Sequence, residues 1–222
     1  VARINMSHAT HISALKIINR INKINTEIGS ESQKIAILLD TQGPEIRTGD
    51  TSLPIELSVG DEVTLTIRDQ IDVETSSIKV NYKDLVHSVE VGSRISVDNG
   101  LINFKVLSKD SDNLLCKVLH GGKLGSKRHV NLPGVRVNLP SITAKDIDDI
   151  NFGIKHKVDF IAASFVRNKQ DLEILNDLLC KQNSPAKVIA KIENQEGLDN
   201  IDEICKSAWG VMVARGDLGI ET

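Results

Sequence analysis

Charged and polar side chains recur where apolar runs end. Lys191 and Glu193 stand i, i+2 at the close of the run 187–193, Asp40 closes 34–40, and Arg215 and Asp217 follow 210–214. In the run 1–6, Arg3 and Asn5 alternate with Ala2, Ile4 and Met6, and Ser7 follows in the same phase. Residues i, i+2 and i+4 of a strand share a face, so Arg3, Asn5 and Ser7 make one polar face. Burying such groups costs several kcal/mol unless they are paired or meet a ligand. Where parallel strands alternate with helices, their carboxyl ends converge on one cleft. Asp40, Glu193 and Asp217, with Lys191, Arg3 and Arg47, are expected to face it. Carboxylates beside cations suit a hard metal ion and a phosphorylated anion, because Mg²⁺ takes one or two carboxylates and completes its shell with substrate oxygens and water. Any one of these residues is ordinary for a polar loop mouth; the recurrence at successive strand ends is what singles out a site.

Other candidates are weaker. His8 and His11 are spaced i, i+3, but no third ligand accompanies them, so they read as a surface pair at a helix start. Lys127-Arg128-His129 reads equally as a phosphate clamp or a solvated basic turn. No GxGxxG or P-loop motif occurs, so any nucleotide is held by other means. Cys116, Cys180 and Cys205 form no CxxC pair, which signals neither zinc nor a redox dithiol, and an odd count suits a reducing compartment. Asn5-Met6-Ser7 matches a glycosylation sequon and reads as chance.

The elements that must position these residues follow from the pattern. Strand 1–6 precedes a helix at about 10–25, in which Ile12, Leu15, Ile18, Ile21 and Ile24 recur at threes. Lys34-Ile-Ala-Ile-Leu-Leu-Asp40 is apolar on both faces, as a buried parallel strand requires. From about 50 to 130 short alternating runs appear at 53–59, 61–67, 94–97, 101–107 and 114–119, with no amphipathic helix of normal length; Asp98-Asn99-Gly100 is a hairpin signal. After 140 the pattern predicts helix 141–156 capped by Ser141 or Thr143, strand 159–165, helix 169–181, strand 187–193, helix 195–207 and strand 210–214. The fold class expected is α/β, with parallel βαβ units interrupted by an all-β insert.

Composition narrows the functional classes. The 222 residues are 40% hydrophobic and 26% charged, enough for a packed core in one or two domains. No apolar run approaches the roughly 20 residues of a membrane helix. A net charge of -3 and 3% aromatic residues argue against nucleic acid, which wants a basic face and stacking platforms. No signal peptide is expected ahead of the first strand. Both ends fall beside strands rather than in surface loops, so the chain is expected to be a piece of a longer protein.

Val1-Ala-Arg-Ile-Asn-Met-Ser-His8, Leu39-Asp-Thr-Gln-Gly-Pro-Glu-Ile-Arg-Thr-Gly49, Gly122-Lys-Leu-Gly-Ser-Lys127, Val130-Asn-Leu-Pro-Gly134, Ala163-Ser-Phe-Val-Arg167, Lys191-Ile-Glu-Asn194 and Val213-Ala-Arg-Gly-Asp-Leu-Gly-Ile-Glu221 resemble the pyruvate kinase family, in its order and across nearly the whole chain. The resemblance implies a partial TIM (β/α)8 barrel, residues 1–49 and 131–222, with an inserted β-barrel lid at 50–130. It implies phosphoryl transfer from phosphoenolpyruvate to ADP, giving pyruvate and ATP, in a cytoplasmic, usually homotetrameric enzyme without nucleic-acid or membrane partners. Glu193 and Asp217 match the carboxylates that hold Mg²⁺ or Mn²⁺. Lys191 and Arg3 match catalytic residues, and both, with Gly216 and Asp217, match substrate contacts. Asn5, Ser7, Asp40 and Thr41 match the K⁺ site. His8, Arg47 and Arg128 match nucleotide or phosphate contacts. A Glu at the position of Glu45 goes with K⁺ dependence in the family.

The chain departs from the family at Gln42, where Lys is common, at Asn99, in a lid motif that usually reads Asp-Asp-Gly, at Lys127-Arg128-His129, and at Trp209, where Asp usually stands. The first strand, the last two strands, the threonine after the sixth strand and the C-terminal domain lie outside it. Two alternatives stay open: another Mg²⁺ barrel handling phosphoenolpyruvate or pyruvate, such as an aldolase type, and a non-catalytic gene fragment or remnant.

Overall fold

The computed structural model describes residues 1–28, 30, 33–68 and 77–221. In chain order the elements are β1 Ala2–Asn5, α1 His11–Glu27, β2 Ile37–Asp40, β3 Ile55–Leu57, β4 Glu62–Thr66, β5 Ser77–Lys79, α2 Leu85–Ser88, β6 Arg94–Val97, β7 Ile102–Lys109, β8 Asn113–His120, β9 Gly122–Leu124 and β10 Val130–Asn131. There follow α3 Ala144–Lys155, β11 Phe160–Ala163, α4 Lys169–Lys181, β12 Lys187–Ile192, α5 Gln195–Asp199, α6 Ile201–Ser207, β13 Gly210–Val213 and α7 Arg215–Glu221. They form two compact units, one of Val1–Pro44 and Pro140–Ala214, the other of Glu45–Leu139 and the segment from Arg215.

The first unit holds one sheet of order β1-β2-β11-β12-β13, every pair parallel. Strand order equals chain order, the pattern of successive βα units. The strands β2 and β11 are buried on both faces, through Ile37, Leu38 and Leu39 and through Ile161 and Ala162, while β12 buries the face of Val188, Ala190 and Ile192. Register places Asn5 and Ala162 on either side of Asp40, and Lys191 beside Met212. The strand ends thus lie level, which brings the residues just past them together.

Helices α1, α3, α4 and α5 start on side-chain caps. Thr10 caps α1 through a reciprocal pair with Ser13, and Thr143 caps α3 through the same device with Asp146. The expected apolar face of α1 is corrected: Ala14, Ile18 and Ile21 are buried, whereas Ile12 is 72% exposed and Ile24 43%. A spacing of three falls about 60° short of a turn, so a run at threes walks around the helix instead of holding one face. The helix expected at 195–207 breaks at Asn200, which leaves helical backbone at φ -103, ψ 17 and donates its side-chain amide to the Arg167 carbonyl at 2.9 Å.

The second unit is built on a six-stranded sheet of order β10-β6-β7-β8-β4-β5, antiparallel except at β4–β5, and on the antiparallel pair β3–β9. Its core gathers Leu65, Ile78, Leu85, Ile95, Ile102, Phe104, Leu114 and Leu124. The β6–β7 turn carries Asp98, Asn99 and Gly100 at φ 55, 55 and 83, the left-handed geometry that this triplet predicts. Only a single helical turn, α2, occurs between 50 and 130 among the described residues. Strands β5, β9 and β10 are too short to show a period in the sequence.

Candidate active site

The carboxyl ends of β1, β2, β11 and β12 carry a buried charge cluster. Lys191 Nζ lies 3.0 Å from Asp40 Oδ1, 3.0 Å from Glu193 Oε1 and 2.7 Å from Ser164 Oγ. Asp40 is fully buried and Glu193 is 1% exposed. Arg3 donates through Nε to Asp40 Oδ2 at 2.6 Å and pairs with the same oxygen through Nη2. Two carboxylates meet two cations, so the cluster is neutral. Burial works against the charge of Lys191, but the Glu193 and Asp40 carboxylates outweigh it and hold its pKa above the ordinary lysine value.

The backbone after β11 completes the arrangement. Ser164 Oγ donates to the Thr41 carbonyl at 2.6 Å, and Ser164 N–H donates to Thr41 Oγ1 at 3.1 Å. Phe165 N–H donates to Glu193 Oε2 at 2.7 Å. Phe165 holds this position with φ 54, a conformation that costs a residue with a side chain about 1–3 kcal/mol and collects at functional sites. Asn5 Oδ1 accepts from Ser7 N–H at 3.0 Å, folding the chain back just past β1. His8 is exposed, and its N–H donates to the Asn5 carbonyl. His11 is committed to Asp149, at 2.8 Å, and stacks on Phe152, as a structural residue does.

The first unit therefore brings together Arg3, Asn5, Ser7, Asp40, Thr41, Lys191 and Glu193. Sequence reasoning missed Ser164 and Phe165. The signal was present, since Ser164 is a polar residue ending an apolar strand run, like Asp40, but a neutral hydroxyl draws less attention than a charge.

Arg47, Arg128, Gly216 and Asp217 belong to the second unit. Arg47 is committed to Glu45, with Nε and Nη2 each 2.7 Å from Oε2, and Nη1 donates to the Lys127 carbonyl. Arg128 Nη1 lies 3.4 Å from Asp98 Oδ1 and its guanidinium packs over Gly125, where a Cβ would meet Nη2 at 2.9 Å. Gly216 is exposed and Asp217 half-buried, both in the first turn of α7. Burial holds the His129 pKa below its ordinary value and Arg47 adds to that, although the Glu45 and Asp217 carboxylates pull the other way. Burial raises the Glu221 pKa, and Asp217 adds to it. Asn131 donates to Glu221 Oε1 at 2.7 Å, and its own Oδ1 is buried without a partner.

The donor chemistry accommodates hard cations. Glu193 accepts from Lys191 through Oε1 and from Phe165 N–H through Oε2, and a carboxylate offers about four lone-pair positions. Asp217 is partly open. Asn5, Ser7, Asp40 and Thr41 each offer an oxygen, at and just past the ends of two adjacent strands with Asn5 opposite Asp40. Among the described residues no group of three or more His, Cys, Asp or Glu side chains is placed to hold a metal ion.

The family model for the pyruvate kinase barrel domain matches residues 1–222. The chain belongs to the pyruvate kinase family. It is 49% identical to a pyruvate kinase of Staphylococcus saprophyticus, 44% to plastidial pyruvate kinase 2 of Arabidopsis thaliana and 43% to pyruvate kinase isozyme G, chloroplastic, of Nicotiana tabacum. Each alignment covers 100% of this chain but only 38–39% of the relative, so the chain spans less than half the length of these pyruvate kinases. The five-stranded parallel sheet is a partial (β/α)8 barrel of the pyruvate kinase type. No described helix is long and apolar enough to cross a membrane.

Proposed function

We propose that the whole protein is a pyruvate kinase, transferring the phosphoryl group of phosphoenolpyruvate to ADP to give pyruvate and ATP. The observation that carries this reading is the buried Lys191 ammonium at the strand ends, held between Asp40 and Glu193 in a chain of this family. In this reading 1–49 and 131–222 are the barrel domain and 50–130 the lid, and the enzyme works as a cytoplasmic homotetramer.

Phosphoryl transfer asks the protein for positioning and electrostatics more than for covalent chemistry. Lys191 offsets charge on the transferring group, and its raised pKa keeps it an ammonium throughout the neutral range. Arg3, half exposed beyond its pairing with Asp40, reaches the phosphate. The backbone N–H groups of Gly216 and Asp217, in the first turn of α7, serve the substrate carboxylate. His8, Arg47 and Arg128 serve the nucleotide. Glu193 and Asp217 would hold Mg²⁺ or Mn²⁺, and Asn5, Ser7, Asp40 and Thr41 would hold K⁺. Bound cations supply the net positive charge that the neutral cluster of Arg3, Asp40, Lys191 and Glu193 lacks.

The test is pyruvate formation by the whole protein with phosphoenolpyruvate, ADP, Mg²⁺ and K⁺. Glu193→Gln and Asp217→Asn should each lower turnover by about 10²–10³-fold, the usual loss when one charge-stabilising group goes. Turnover within about threefold of the parent in both variants overturns the assignment.

A further inference from the structure

Ser164 stands just past β11 and is 3% exposed. A hydroxyl carries one proton. Here that proton goes to the Thr41 carbonyl at 2.6 Å, which leaves the lone pairs of Oγ to accept from Lys191 Nζ at 2.7 Å. With Asp40 and Glu193 taking the other two ammonium protons, Ser164 is the third and only neutral leg of the tripod under Lys191. The Ser164 side chain is braced from behind. Gly43, at φ +76, approaches so closely that a Cβ there would lie 2.8 Å from Ser164 Cβ and 2.9 Å from Phe165 Cδ2. The next residue, Phe165, holds the far oxygen of Glu193 through its N–H. Two consecutive residues at one corner thus grip the ammonium and one of its counter-ions.

We propose that Ser164 is a positioning residue, whose hydroxyl, aimed by the Thr41 carbonyl, fixes the Lys191 ammonium between Asp40 and Glu193 in its working place. The consequence for rate rests on the pyruvate kinase reading, whereas the geometry does not. Two carboxylates alone leave the ammonium free to turn between them, and a displacement of about 1 Å at a phosphoryl-transfer site can cost 10²-fold.

Ser164→Ala and Ser164→Thr in the whole protein test this. Ser164→Ala should keep a cooperative melt, lose about 10–10²-fold in kcat, and leave KM for phosphoenolpyruvate within about threefold. Acylation with N-hydroxysuccinimidyl acetate, followed by peptide mass spectrometry, reads Lys191 independently of activity. Lys191 should be modified about tenfold faster in Ser164→Ala, the equivalent of one lost hydrogen bond to a charged group, while the other lysines keep parental rates. Ser164→Thr, which restores the hydroxyl, should recover both readings. Parental Lys191 labelling in Ser164→Ala overturns the proposal. So does faster labelling of all lysines together, which marks a general loosening. If the parent makes no pyruvate, the functional reading fails, and the labelling of Lys191 decides the positioning claim by itself. Should Ser164→Thr not fold, Ser164→Ala decides it alone.

Discussion

Lys191 is the residue on which the cluster turns. Removing one partner of a buried ion pair commonly costs about 3–5 kcal/mol, because the other is left charged and unsolvated. Lys191→Met in the whole protein should destabilise by about that much in urea unfolding at neutral pH. The pH dependence has a definite sign. Lys191 has a raised pKa in the fold, so its contribution is fully present below the ordinary lysine value of about 10.4 and is lost only as pH rises through the raised one. The parent therefore gains or loses nothing from Lys191 between about pH 5 and 8. In Lys191→Met, Glu193 is buried without its cation and its pKa in the fold rises. The folded variant then binds more protons than the unfolded one, and its stability climbs as pH falls. The gap between parent and variant should narrow from pH 8 to pH 5. A gap constant with pH would mean that the carboxylates are not held by Lys191.

At the scale of elements, Asp146 ties a helix start to the site. Its Oδ2 accepts from Thr143 N–H and Oγ–H in the capping box of α3, and its Oδ1 accepts from Gly43 N–H at 3.0 Å, on the turn that braces Ser164. Asp146→Ala should cost about 1–3 kcal/mol, more than the roughly 1 kcal/mol of a helix cap alone, because it also leaves a buried N–H unpaired. Thr143→Ala, which spares the Gly43 contact, should cost less in the same urea titration. Equal costs would show that the Gly43 bond contributes nothing. This link also marks where sequence reading stops. Ser141 and Thr143 both offered a cap in the sequence, but no local pattern says that a carboxylate oxygen of Asp146 reaches residue 43. Asp40, Lys191 and Glu193 were legible because charge at the end of an apolar run is anomalous in itself. Ser164 was not, because a serine after a strand is ordinary until its neighbours are known. The same limit hid α7, whose Gly216 and Gly219 lower its helix propensity. It also explains why the exposed Ile12 and Ile24 stand in one run with the buried Ile18 and Ile21, since spacing by threes resembles a helical face over one step and leaves it over four.

At the scale of the molecule, the sheet of the first unit has two edges, β1 and β13, each paired on one side only among the described residues. Trp209, Val211 and Val213 stand at i, i+2 and i+4 along β13 and its approach, so they share a face, and they are 62%, 43% and 59% exposed. Trp209 is partly covered by Phe160, whose ring centroid lies 5.0 Å away. An apolar stripe on an unpaired edge strand is a template for association. The 222-residue polypeptide produced by itself should therefore self-associate at micromolar concentration, measured by sedimentation velocity. Val211→Lys with Val213→Lys should shift it toward the monomer, because lysine on an edge blocks strand pairing and raises the cost of burial. In the whole protein further strands are expected to cover the stripe, the relatives being more than twice the length of this chain. There the same double substitution should lower the melting temperature, since it buries two ammonium groups against apolar neighbours. Opposite signs in the two settings identify the stripe as an internal surface of the complete barrel. A monomeric parent polypeptide, or a whole protein indifferent to the two lysines, would place that surface elsewhere.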